Sequence, residues 1–152
     1  MASHPERIAQ LADEYPHAIA IVEIEGDLNE FNCVMYALDL VGAIDPPMTA
    51  LGRYHMDLRF LTHLVEHVRP QDLPGPEDCA LAIYFGDGAA VHVGTVTGND
   101  TVRSKWGSGH VYEHAVWEIP ESYGDQVRFY KSIDANAALE IFLDFAGWRE
   151  KK

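Results

Sequence analysis

A chain of 152 residues, 47% hydrophobic and 23% charged, has the size and make-up of one globular domain and can bury a core without covalent staples. Lys and Arg number 11 against 24 Asp and Glu, and the net charge of −13 repels a phosphate backbone and an anionic membrane surface while attracting a cationic substrate or partner. Two cysteines make no disulfide framework at this size, and no apolar run approaches the ~18 residues of a membrane span.

Ser3-His4-Pro5-Glu6 reads as a capping box, and Ile8, Leu11 and Ala12 then recur at helical spacing until Pro16 ends the helix. This N-terminal stretch lacks a basic segment followed by an apolar one. No signal peptide is expected, and a cytoplasmic, reducing location follows, with a delivered effector that carries no signal peptide as the alternative. Residues 17–25 (HAIAIVEIE) predict a buried strand. Residues 28–42 predict a helix with Asn29 or Asn32 as its N-cap, a stripe of Val34, Leu38 and Val41, and Gly42 as its stop. Residues 48–68 predict a second long helix whose buried face is Leu58, Leu61, Leu64, Val65 and Val68, and residues 70–76 a turn-rich linker.

From residue 79 the pattern changes to strands over 79–86, 89–97, 101–106, 111–119 and 126–132. Asp87-Gly88 and Gly98-Asn99 are hairpin signals. Asp134 caps a last helix that runs to about residue 148. Helices followed by antiparallel strands predict an α+β fold, and the absence of an inter-domain linker or repeat predicts a single domain over residues 1–152.

The chemistry-bearing pair in this order is Cys33 and His92. Cys33 falls in the first turn of its helix, where unpaired backbone N–H groups and the positive end of the dipole favour a thiolate. The same N–H groups suit an oxyanion formed during acyl transfer. His92 is a lone imidazole in the apolar strand Val91-His92-Val93-Gly94-Thr95-Val96, placed to take the thiol proton. Gly94 allows another group to approach the backbone closely. Cys79, in the apolar run Cys-Ala-Leu-Ala-Ile, is expected in the core.

Asn32-Cys33 with the helical Val-Met-Tyr-Ala-Leu that follows, the Pro-Gly-Pro-Glu-Asp loop, His-Val-Gly-Thr-Val with its Gly-Asn turn, and Ser104-Lys105-Trp106-Gly107 through Tyr123-Gly124-Asp125 resemble the papain-like clan of NlpC-type and CHAP-type cysteine peptidases and amidases. The likeness runs over roughly residues 29–130. It implies a papain-like fold, helices packed on an antiparallel sheet with a C-terminal helix, and a hydrolase that cleaves amide or peptide bonds without a cofactor. It makes Cys33 the nucleophile and His92 the base. A third, orienting residue belongs on the returning strand near Ser104, and His110, Glu113 and His114 from the next strand are the alternatives. A second expectation, motivated by the acidity and by serine at the third position, is a catalytically inactive papain-like domain that binds a basic protein.

Other constellations carry less. His63-Leu64-Val65-Glu66-His67 matches the H-x-x-E-H pattern of zinc peptidases. On a helical wheel these three polar residues oppose the Leu61, Leu64, Val65 and Val68 face, so a solvated surface is expected and no metal is assigned. Gly86-Asp87-Gly88 and Gly98-Asn99-Asp100 lack calcium-loop spacing. No phosphate-binding loop or dinucleotide fingerprint occurs.

Overall fold

The structure is a computed structural model, and it describes residues 19–24, 28, 31–41, 56–98, 100–107 and 109–146. The helix expected at residues 3–16 lies outside them, as do Asn29 and residues 48–55 of the second expected helix. The described elements are β1 (Ala20–Val22), α1 (Cys33–Ala37), α2 (Leu58–His63), β2 (Asp72–Leu73), β3 (Leu81–Gly86), β4 (Ala89–Val96), β5 (Thr101–Lys105), β6 (Val111–Ala115), β7 (Gln126–Tyr130) and α3 (Ala135–Phe145). The strands form one antiparallel seven-stranded sheet in the order β1-β6-β5-β4-β3-β7-β2. The mixed helix-and-sheet class, the antiparallel sheet and the C-terminal helix agree with the sequence reading.

Local chemistry explains most boundaries. Asn32 takes an extended conformation and its side-chain oxygen accepts the Met35 N–H at 2.9 Å, so it caps α1. Its amide also donates to the Met56 carbonyl, which ties α1 to the chain leading into α2. Asp57 caps α2 in the same way through the Arg59 N–H. Asp134 caps α3 through the Ala137 N–H. Asp87 and Gly88 both have positive φ, 53° and 80°, as a two-residue hairpin turn with the strand's own twist requires.

Several boundaries differ from expectation. Among the described residues, the helix predicted over 28–42 is α-helical at Cys33–Ala37 alone, and it ends there because Asp39 turns to φ 58° and Leu40 bonds back to the Met35 carbonyl. A helix this short has little macrodipole to offer its first residue. The second helix passes from α2 into a π-helical turn at Leu64–Val68, which rotates Val68 out to 39% exposure. The 70–76 linker contains β2, a two-residue edge strand on β7. Cys79 is exposed rather than in the core. Its φ of 69° places it in a turn before β3, and its N–H reaches the Val96 carbonyl.

The sheet has two covered faces. Toward α1, α2 and α3 it presents Leu81, Ile83, Val93 and Val111, packed with Val34, Met35, Leu38, Phe60, Leu61 and Phe142. On the other face lie Ala80, Ala82, Tyr84, Val96 and Val102, with Phe129 and Ile119 against them. Successive strand residues alternate between these faces. That alternation places every candidate site residue on one face or the other.

Candidate functional site

Cys33 opens α1 on the helix-covered face and is half-buried among that core. Its sulfur accepts the N–H of Val93 on β4, and the N–H groups of Cys33 and Val34 lie close by. Burial pushes the thiol above its ordinary value, while these three N–H groups and the charge of Lys105 pull it back down. The resting group is therefore a thiol at neutral pH.

Val93 lies beyond the last ladder pair of β4 with β5, although the neighbouring Gly94 stays packed against β5. Their pairing covers Thr95↔Arg103 and Val96↔Val102, and neither Val93 nor Gly94 is paired to β5.

His92 precedes Val93 on β4 and so projects to the other face, opposite Tyr84 in the register. Its ring stacks on Tyr123 with centroids 3.9 Å apart and planes at 6°, and Tyr84 flanks it at 5.6 Å. It is 1% exposed, and its Nε2 has no hydrogen-bond partner among the described residues. Burial, then the nearby His114, lower its pKa from 6.5 to about 3, so the imidazole is neutral. Tyr123 links the two faces: it stacks on His92, and the charge of Cys33 reaches its phenol.

Ser104 and His114 lie on the His92 face, each fully buried. His114 Nδ1 is 2.7 Å from the Ala115 carbonyl, which only accepts, so Nδ1 carries the proton. Nε2 of the neutral ring is then an acceptor, and the Ser104 hydroxyl, 2.8 Å away, donates to it. Ser104 Oγ in turn accepts the indole N–H of Trp106 at 3.1 Å. One lone pair remains on Oγ, but His92 Nε2 makes no hydrogen bond to it. Ser104 is thus held in place by two neighbours.

The remaining third-residue alternatives separate. Glu113 faces α1, accepts from the Thr97 hydroxyl at 3.1 Å and pairs with Arg103 at 3.6 Å, so β6 turns it away from His92. His110 precedes β6, with its carbonyl bonded to the Trp106 N–H and its ring 6.2 Å from Tyr112. His114 is on the right face but engaged with Ser104.

Three residues on no earlier shortlist belong to this region: Lys105, Trp106 and Tyr123. A lysine that closes a strand carries no local signal for burial. It becomes visible only through the pairing Lys105↔Val111, which turns it toward the helices. The H-x-x-E-H residues lie elsewhere: His63 stacks between Phe60 and Phe145 and sits 4.9 Å from the His67 ring. Among the described residues no group of three or more His, Cys, Asp or Glu is placed to hold a metal ion, and no helix is long and apolar enough to cross a membrane.

Comparison with known proteins adds nothing to this geometry. No family model matches the chain, and neither a curated protein nor a solved structure does.

Proposed function

We propose that the chain is a thiol hydrolase of papain-like arrangement that cleaves amide or peptide bonds at Cys33. The observation that carries this reading is the set of three backbone N–H groups, of Val93, Cys33 and Val34, that favour negative charge on the Cys33 sulfur. Such donors stabilise negative charge as it forms on the sulfur, and an N–H of the same turn serves the oxyanion.

The resting pair is a thiol and a neutral imidazole. On attack the sulfur bonds to the substrate carbonyl carbon while its proton passes to the imidazole, a step that requires the buried His92 ring to turn from the opposite face of the sheet, past Tyr123, toward the sulfur. The imidazolium returns that proton to the departing amine as the C–N bond breaks. Water, deprotonated by the same ring, then attacks the thioester, and the acid leaves as the thiol re-forms. Ser104 is held by His114 and Trp106 and makes no hydrogen bond to His92, whose Nε2 is unpartnered among the described residues, so orienting the imidazole falls to the Tyr123 ring stacked on it.

Acyl transfer from p-nitrophenyl acetate tests the reading without a known substrate. The expected result is one acetyl group on Cys33 by peptide mass spectrometry, followed by turnover. Cys33→Ala abolishes both, and His92→Gln slows acylation by about 10²-fold, the usual contribution of a general base. Acetyl found only on the exposed Cys79, or turnover unchanged in Cys33→Ala, overturns it.

A second reading has its own observation. Trp117 is 55% exposed beside a pocket of about 520 Å³ lined by Asp100, Glu118, Val127 and Phe129. An aromatic platform with an acidic rim on a chain of charge −13 suits a basic protein, which makes this face a binding surface whatever Cys33 does.

A further inference from the structure

Lys105 is the most anomalous side chain of the region. It is 0% exposed, and its ammonium donates to the Gly107 carbonyl at 2.6 Å and sits 5.3 Å from the centre of the Phe31 ring. Burying an ammonium is costly unless an anion or several acceptors meet it. This chain carries 24 carboxylate side chains, yet among the described residues the ion pairs are Arg59–Asp57 and Arg103–Glu113, and neither includes Lys105.

The surroundings converge on one group. Phe31, under the ammonium, lies two residues before Cys33. Gly107, which accepts from the ammonium, also gives its N–H to the Tyr123 hydroxyl, and Tyr123 feels the charge of Cys33. Lys105 is turned by its pairing with Val111 toward the helix-covered face, the face on which Cys33 opens α1. We propose that Lys105 is the counter-ion of the Cys33 thiolate, a positioning residue that holds the negative charge on the sulfur once the thiol proton has left.

The inference rests on the reading of Cys33 as the functional thiol and adds a charge which that reading does not need. It fits the resting state: burial lowers Lys105 and raises Cys33, and each charged form favours the other, with Cys33 the titratable group acting on Lys105. Other titratable groups face the pair from the neighbouring elements. They are Tyr123 in the turn before β7, Tyr36 on α1, and the Arg103–Glu113 pair on β5 and β6, while His92 is turned to the opposite face. The Arg103 and Glu113 charges oppose one another at Tyr36, and the two tyrosines are raised by burial, so none of these supplies the missing anion.

The test is the pH profile of iodoacetamide alkylation, read peptide by peptide, in the full chain and in Lys105→Met. The expected result is a rise of at least one unit in the apparent pKa of Cys33, seen as about a tenfold slower reaction at neutral pH. Exposed Cys79 is an internal control and keeps its profile. Lys105→Arg, which retains the charge, restores most of the Cys33 rate. A Cys33 profile that superimposes on the wild type in folded Lys105→Met overturns the proposal.

If Lys105→Met loses its circular-dichroism fold, the reciprocal experiment decides. Coupling between two sites is mutual. In Cys33→Ser the Lys105 amine, followed by carbon-13 NMR, titrates at lower pH than in the wild type, and an unchanged value overturns the proposal. The two ideas fail separately. Absence of an acyl-enzyme with the thiol shift present removes the hydrolase and leaves the ion pair, whereas acylation without the shift does the reverse.

Discussion

His92 concentrates the residue-scale physics. Its ring was legible in the sequence as an imidazole within an apolar strand, but nothing local showed that Tyr123, some thirty residues on, stacks on it. The consequence is acid sensitivity. The folded ring binds a proton only near pH 3, whereas in the unfolded chain it does so near the ordinary 6.5. Its contribution is fully present above 6.5 and is lost as pH falls, because the unfolded state takes up the proton first. Between pH 6.5 and 4.5 two units separate the states, a loss of about 3 kcal/mol at 1.36 kcal/mol per unit. His92→Gln is expected to flatten the fall in the urea midpoint between pH 7 and 4.5 by that amount. His114, also lowered by burial, adds to the slope in the same direction and remains in the variant. An unchanged slope in His92→Gln shows the ring to be hydrated and not buried.

At the scale of elements, glycine positions were informative and strand registers were not. Gly94 was readable as a close approach, and the structure gives the reason. A Cβ there would lie 2.9 Å from both the Arg103 carbonyl oxygen and the Ser104 Cβ, and would meet the Val102 side chain. Two of those obstacles cannot rotate away, so Gly94→Ala is expected to cost about 3 kcal/mol, the upper end for overpacking, and to loosen β4 from β5. Gly75→Ala is the contrast, with open space around it and no positive φ, and is expected to be neutral within about 0.5 kcal/mol. Denaturant midpoints for the pair, with amide exchange along β4, measure both. Equal midpoints refute the packing argument. Asp87-Gly88 and Asn32 were legible for the same reason, since each solves a backbone problem within a few residues. Cys79, β2 and the facing of Lys105 were not. A turn at φ 69°, a two-residue edge strand and a buried lysine depend on partners distant in sequence. The third-residue question had the same cause: Ser104, Glu113 and His114 are indistinguishable until the β5–β6 register sends Glu113 to one face and the other two to the opposite one.

For the whole molecule, charge decides which partners can approach, and the field is strongly negative. That field acts at long range and weakens with salt, whereas the apolar floor of the Trp117 pocket acts on contact and does not. A Lys-rich peptide bearing one aromatic residue would draw on both, through the charges of Asp100 and Glu118 and the apolar surface of Trp117, Val127 and Phe129, which together line the pocket. Titration calorimetry is expected to show binding that weakens as NaCl rises from about 0.05 to about 0.5 M, where the screening length falls to a few Å. Trp117→Ala should remove a contact worth about 1–2 kcal/mol, a five- to thirtyfold loss, and Cys33→Ala should change nothing. Loss of affinity with salt but not with Trp117→Ala means that the acidity recruits cations everywhere and the pocket is no site. Equal loss in Cys33→Ala means that the peptide sits at the thiol, in which case the acidity serves the hydrolase by drawing cationic substrates to Cys33.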